Sequence, residues 1–415
     1  MIEKIIVLVI FIACYSLALT RKVKIAYVSL VAAGLLILLG IATPQWALFT
    51  AINWDVLGIY WGFMMLSMIF TESGIPALIA HKIVRKAGSE KFALLYLCAI
   101  TTFFSAFMEN VGVVLMVAPI AIELSKDTKS DLLKYMVAVA ISANAVTTVT
   151  MISDPPSLIM ALETGMHFFD FYWFQNRLSL GVITVFGIAA ALASLLFIFR
   201  NLNKKVTFKE KKVCTRRAPL VIFAAGVIAL ATGHYAGISP GLIGVAVGLV
   251  SLVEGRGKRT KMMKDFDWNS FFFITGIFVV VSSLELTGLL SDFTSWIGGM
   301  GINSPALVLA LVIWLSVAAS SFMDNVPYTI LMIPVCTQLA SMMGINPFVL
   351  LFGMLIGTGI GGNITPVGAT ANVFACGIAE KHGCKVKFKD YLKISLPFSV
   401  TAVVVAHVLL QLLWL

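Results

Sequence analysis

Ser105-Ala106-Phe107-Met108-Glu109-Asn110-Val111 returns 215 residues later as Ser320-Ser321-Phe322-Met323-Asp324-Asn325-Val326. Each copy sets a carboxylate beside an amide inside an apolar run, where an ionisable side chain is costly and marks function. Pro119 follows Asn110 by nine residues, and Pro334 follows Asn325 by nine. Working outward, Asn53-Trp54-Asp55 is answered by Asp267-Trp268-Asn269. Ser153-Asp154-Pro155-Pro156-Ser157 is set against Ile364-Thr365-Pro366-Val367-Gly368, at an offset of 211. Matching polar motifs in matching order make one duplicated unit. Residues 1–200 form the first repeat and 218–415 the second, joined by a basic cytoplasmic linker at 201–217.

The composition says where such a chain can live. Of 415 residues 60% are hydrophobic and 12% charged, with a mean hydropathy of +0.98. A soluble domain is about half apolar and about a quarter charged. A bilayer accepts this surface and water does not. A spanning helix needs about 20 mostly apolar residues, so the chain is expected to be an all-α membrane protein with about ten spans and no sizeable soluble domain. Residues 5–19 lack a basic flank and a cleavage site, and read as a mature span rather than a signal.

Apolar runs fall near 3–19, 25–41, 54–72, 135–161, 177–199, 218–233, 238–253, 268–288, 348–379 and 392–414. Basic residues cluster between them. Arg21, Lys22 and Lys24 come first, then Lys82 to Lys91, Lys126 to Lys134, Arg200 to Arg217, Arg256 to Lys264 and Lys381 to Lys393. Together they hold 28 of the 30 Lys and Arg. Basic loops belong on the cytoplasmic side. They all reach it only if the stretches 92–125 and 305–340 each return to the side they entered. Two re-entrant hairpins are therefore expected, with both termini extracytoplasmic and the chain multi-pass in the cell (inner) membrane. The first repeat then starts outside and the second inside, which is the inverted repeat of secondary transporters. The net charge of +10 is explained by these loops, so nucleic acid is not a partner; the lipid bilayer is.

Irregular backbone at membrane depth survives only where protein buries it or it lines a cavity. Four places demand it: the two hairpin tips, and breaks inside the spans 135–161 and 348–379. Freed carbonyls there suit cations, and inward helix N-termini suit anions. Two polar clusters are expected. One joins Glu109 and Asn110 to Asn144, Thr148, Thr150 and Asp154. The other joins Asp324 and Asn325 to Gly361, Gly362, Asn363, Thr365 and Pro366, with Thr370 and Asn372 just beyond. A sodium site would use Asp324, Asn325 and Asn363. The plain alternative for each carboxylate is a cap on a half-helix, and Asp154, just before Pro155, suits that role most. Glu72 and Glu285 sit nearer span ends, where solvation or capping explains them. Asp55 and Asp267 flank tryptophans, where interfacial anchoring is expected.

Other chemistry is missing. No GxxxxGK[ST] motif appears, so any ATPase would be a separate subunit. The six cysteines form no CxxC pair and suggest neither zinc, disulfides nor a thiol site for a soft metalloid. The five histidines lack metal-ligand spacing. Enzymatic activity and a resident cofactor are not expected; the coupling ion would be Na⁺ or H⁺.

At Met108-Glu109-Asn110-Val111, Ser153-Asp154-Pro155-Pro156, Met323-Asp324-Asn325-Val326-Pro327 and Gly361 to Gly368 the chain resembles the ion-transporter superfamily. Within it, the likeness is nearest to the ArsB/NhaD-type permeases, which include arsenite permeases and sodium/proton antiporters. It covers nearly the whole chain. The distantly related divalent-anion/sodium symporters carry Ser-Asn-Thr at the tips, where this chain has Glu109-Asn110-Val111 and Asp324-Asn325-Val326. The resemblance implies an elevator-type carrier with a scaffold and a mobile domain, and a homodimer. The family's Gly-Asp-Pro-Pro-Asn reads Ser153-Asp154-Pro155-Pro156-Ser157 here, which puts the first ion site in question. The expected function is ion- or proton-coupled transport of a small inorganic solute, with arsenite or antimonite efflux as the leading example. A sodium/proton antiporter is the alternative, and a channel-like pore or the membrane subunit of a pump is the alternative of another class. Asp324 can hold a proton or a cation but not both, the simplest basis for exchange.

Overall fold

The computed structural model describes residues 2–20, 23–206, 215–298 and 304–415. Arg21, Lys22, Lys209, Lys211, Lys212 and Cys214, with much of the linker, lie outside the described residues. The first half holds α1 (Ile2–Thr20), α2 (Ile25–Leu38), α3 (Pro44–Trp46), α4 (Trp54–Glu72), α5 (Ile75–Val84), α6 (Glu90–Ser105), α7 (Asn110–Thr128), α8 (Leu132–Asn144), α9 (Pro155–Thr164) and α10 (Leu180–Ile198). The second holds α11 (Ala218–Thr232), α12 (Pro240–Glu254), α13 (Arg259–Asp265), α14 (Trp268–Leu286), α15 (Leu289–Gly298), α16 (Pro305–Ser320), α17 (Asn325–Met343), α18 (Pro347–Gly361), α19 (Thr370–Lys381) and α20 (Phe388–Trp414). The only described strands, β1 (Trp173–Phe174) and β2 (Arg177–Leu178), form a small antiparallel hairpin.

Caps fix where these helices begin. Asn53 Oδ1 accepts from Val56 N at 3.2 Å to open α4, and Asp267 Oδ1 accepts from Ser270 N at 3.0 Å to open α14. Pro155, Pro240, Pro305 and Pro347 each stand in a helix's first turn, where a missing N–H costs nothing. α4 and α14 both turn off through a left-handed glycine, Gly74 and Gly288, each with φ 73°. Those residues relieve a conformation that a Cβ would strain.

α4 packs on α12, and α14 packs on α2. Small residues make the approach possible. A Cβ on Gly62 would sit 1.7 Å from Gly244 O, and one on Gly276 would sit 2.6 Å from the Ser29 carbonyl carbon. In lipid, such close backbones replace the hydrophobic drive as the source of helix association. The second layer is built on α8 and α18. α8 is buried at every residue except Lys134, and α18 from Val349 to Gly361. A helix apolar all round belongs in the interior. α6 and α7 form a hairpin against α8, α16 and α17 form one against α18, and α10 packs on α20.

Six helical stretches are long and apolar enough to cross a bilayer alone: Trp54–Glu72, Leu180–Ile198, Ala218–Ala236, Trp268–Leu286, Asn325–Met343 and Phe388–Trp414. The bent pair Pro240–Glu254 and Arg256–Asp265 makes a seventh, among the described residues. The basic loops also meet. Glu90 N donates to Lys204 O, Lys204 Nζ to Thr128 O, Arg216 N to Ser73 O, and Lys258 pairs with Glu72 at 3.0 Å.

Candidate functional site

Each hairpin tip is a short unwound turn between two helices, and its carboxylate caps the returning helix. Glu109 Oε1 accepts from Val111 N at 2.9 Å and Oε2 from Gly112 N at 2.7 Å. Asp324 Oδ1 accepts from Val326 N at 2.9 Å. The extra methylene lets Glu109 reach two amides. A carboxylate there also meets the positive end of the helix dipole. Asn110 and Asn325 are buried, 7% and 8% exposed. The tips are not equivalent. Ser320 Oγ lies 2.5 Å from Asn325 Oδ1 and 2.6 Å from Thr358 O, which stitches the second tip to α18. At the first tip, Ser105 Oγ and Asn110 Oδ1 have no protein partner.

Each break is tied to its own tip. Thr150 Oγ1 donates to Ala106 O, and Thr365 Oγ1 donates to Ser321 O. Ser157 Oγ donates to Thr147 O at 2.5 Å, and Asn372 Nδ2 to Gly362 O at 2.9 Å and Thr365 O at 3.1 Å. These bonds correct the offset of 211. Thr150 answers Thr365 and Ser157 answers Asn372, at 215, so Asp154 answers Ala369. The motif Pro155-Pro156 opens a half-helix, whereas Pro366 lies inside the second break, before α19 begins at Thr370.

The two expected clusters are one joint. Asn144 Nδ2 donates to Gly359 O at 3.2 Å and Asn363 Oδ1 at 3.1 Å, so the breaks bond to each other. Gly359 is required there, since a Cβ would sit 2.1 Å from Thr147 Oγ1. The second half-helices cross over: α9 packs on α17, and α19 on α7 and α8. Asp154 is thereby brought within electrostatic range of Asn325 and Asp324 of the other tip and of Glu109. The alternative of a plain cap fails for Asp154, whose side chain makes no cap bond. Pro155 and Pro156 offer no N–H at the first two positions, which removes a usual donor. Thr148 turns away from the tips and pairs with Thr184 at 2.8 Å.

Sequence reasoning missed Ser320, Tyr391 and Ser395. Ser320 stood in the quoted motif and could have been read. Tyr391 Oη donates to Asn363 O at 3.1 Å and Ser395 Oγ to Ile364 O at 2.9 Å, both from α20. Nothing in the local sequence signals them. Asn363 Nδ2, Asn372 Oδ1 and Thr147 Oγ1 are buried without a protein partner. Buried polar atoms seek partners, so these suit contact with a small polar solute.

Both tips open onto a cavity of about 1110 Å³. It is lined by Glu109, Asp324 and Thr370, and toward the basic loops by Glu72, Asp265, Asp267, Lys24 and Lys261. Glu72 is held by Lys258 and by Lys261 at 3.7 Å. At the other end of α4 and α14, a cavity of about 810 Å³ is lined by Asn53, Asp55, Glu163 and Glu285. Asp55 and Asp267 do more than flank anchors. Asp55 Oδ1 accepts from Ser239 Oγ at 2.5 Å and Gly241 N at 2.9 Å, which locks the start of α12 to α4. Asn269 Oδ1 does the same for α2, accepting from Ala26 N at 3.2 Å. The tryptophans are pinned locally, Trp54 Nε1 on Leu48 O and Trp268 Nε1 on Met263 O.

Known proteins resemble this chain over most of its length. An uncharacterised transporter of Mycobacterium tuberculosis is 25% identical over 423 residues, 97% of each chain. The crystal structure of the Alcanivorax borkumensis YdaH transporter superposes with a TM-score of 0.50 at 14% identity, covering 92% of this chain and 88% of that one. The Neisseria gonorrhoeae MtrF structure, described as illuminating a class of antimetabolite efflux pumps, gives 0.50 at 10% identity, covering 92% and 84%. These two likenesses speak for the fold. The model of the citrate transporter family, CitMHS, matches residues 7–357, and the chain accordingly belongs to that family of secondary membrane transporters.

Proposed function

We propose that this transporter is an ion-coupled elevator carrier of two inverted repeats, with H⁺ or Na⁺ exchanging on Glu109, Asp154 and Asp324. The observation that carries the reading is that Glu109 and Asp324 line one cavity, with Asp154 within electrostatic range of both. Their mutual repulsion falls when a proton or cation is held among them. The framework of α1, α2, α4, α11, α12 and α14 serves as the scaffold. The hairpins with α8–α10 and α18–α20 serve as the moving part. The contacts among basic loops support one cytoplasmic face, with Lys24 and Lys261 on the rim of the larger cavity, so that cavity faces inward.

The cargo is a small inorganic solute. Five carboxylates against two ammonium groups line the open cavity. That balance suits a cation or a neutral molecule and opposes a free tricarboxylate. Arsenite and antimonite, neutral trihydroxides near pH 7, fit it, as would efflux. The second reading is a sodium/proton antiporter, favoured by a carboxylate at each tip. The test is flux in proteoliposomes. Saturable counterflow of arsenite, driven by a pH or sodium gradient, is expected. Proton movement on sodium addition alone would favour the antiporter. Citrate counterflow with no response to arsenite would overturn the cargo assignment, and current without exchange would overturn the carrier.

A further inference from the structure

We infer that the stacked imidazoles of His167 and His234 are an acid-released latch. It ties the segment after α9 to the turn between α11 and α12, at the end of the molecule opposite the larger cavity. The ring centres are 4.2 Å apart and the planes 11° from parallel. Tyr235 closes on His234, ring centre at 3.7 Å. His167 is exposed and leads into the tight turn Phe168–Phe171, whereas His234 is half-buried in the turn Gly233–Ala236. His234 Nδ1 is buried and has no hydrogen-bond partner in the protein.

Parallel stacking suits two uncharged rings. Imidazole is the side chain that changes charge between about pH 5 and 8. Two imidazolium rings at this spacing lie within the ~8 Å Debye length of physiological salt, so salt would screen their repulsion only in part. Few counter-charges are near. Asp170 Oδ2 accepts from the His167 backbone N–H at 2.7 Å. Glu163 Oε1 accepts from Asn53 Nδ2 at 2.9 Å. Asp55 is engaged at the start of α12, and Glu285 lines the same vestibule. α10 and α11 contain no ionisable residue, and the one in α12, Glu254, is at its far end. Two charged rings would therefore find little compensation here, and the stack opens in acid.

The latch sits where motion would be felt. α9 is a ten-residue helix with Asp154 at one end and the His167 turn just beyond the other. Opening the stack frees that segment from the scaffold. The consequence for transport rests on the elevator reading; the opening itself does not.

The test uses the full chain in nanodiscs, with reactive native cysteines replaced and nitroxides at Phe169→Cys and Ile238→Cys, two exposed positions. Electron paramagnetic resonance distances are compared at about pH 8 and about pH 5.5, either side of the imidazole range. The parent should lengthen in acid, and the His167→Gln/His234→Gln double variant should show no shift. His234→Arg, or His167→Arg if the former does not fold, fixes one charge and leaves one imidazole, so it should still lengthen in acid. Acid lengthening that persists in the double variant, or no lengthening in the parent, overturns the latch. Arsenite or sodium flux of the same variants in proteoliposomes reads the transport proposal separately, because the distance change needs no cargo.

Discussion

Asn144 donates its Nδ2 to Asn363 Oδ1 across 3.1 Å, so the interruption of one span is bonded to the interruption of the other. The same nitrogen reaches Gly359 O at 3.2 Å. Asn144→Leu would leave two buried acceptors without that donor, at a cost of about 1–3 kcal/mol. The melting temperature in detergent should fall and transport should drop with it. An unchanged melting temperature would mean that the breaks are held by their tip bonds alone.

Gly62→Val tests the scaffold. A Cβ there meets Gly244 O at 1.7 Å, and backbone cannot swing aside. Overpacking of this kind costs about 1–3 kcal/mol or more, so yield and melting temperature should both fall. Gly34→Ala, with nothing within 4 Å of its Cβ, is the matched control and should be silent. Equal behaviour of the two variants would contradict the close α4–α12 approach.

Asp324→Asn keeps a side chain able to cap α17, since Asn and Asp cap about equally well. The fold should survive, and the dependence of initial flux on pH should disappear. Glu109→Gln should slow transport or shift its pH optimum, with activity left. Flux against pH in proteoliposomes reads both. A fully active, fully pH-responsive Asp324→Asn would assign that carboxylate to capping alone.

Much of this was legible because it is local. Tips, breaks and helix starts are written in Pro, Gly, Asn and Asp at fixed offsets, and the structure has caps and interruptions at those places. Thr150 and Thr365 were identified on the same basis, and each bonds its own tip. What was not legible depends on which helices meet. For Asp154 the sequence leaves a plain cap open beside a site role, because it precedes a proline; the second proline takes away a donor, and the crossing of α9 to α17 brings it toward Asn325. Tyr391 and Ser395 reach the second break from a helix more than twenty residues away in sequence, and no spacing rule could bring them there. The 211 offset failed for a related reason: matching one proline to another ignored that one opens a helix and the other lies within a break.

Asp154 separates binding from stability most cleanly. Its carboxylate makes no cap bond, and nearby Asn325 is held by Ser320. Asp154→Asn preserves shape and a hydrogen-bonding group, so its stability should stay within about 0.5 kcal/mol, as for a substitution that breaks no structural feature. It removes one of three negative charges that would hold a coupling cation. The concentration of driving ion needed for half-maximal flux should then rise on the order of tenfold, which corresponds to about 1.4 kcal/mol of lost binding. Thr150→Val is the opposite case. It deletes the donor to Ala106 O without touching charge, and should lower the melting temperature while leaving the ion requirement of the surviving activity alone. Flux against driving-ion concentration, with melting curves of the same preparations, distinguishes them. If Asp154→Asn loses stability and keeps its ion requirement, the carboxylate is a structural link between the repeats and the exchange reaction belongs to the two tips.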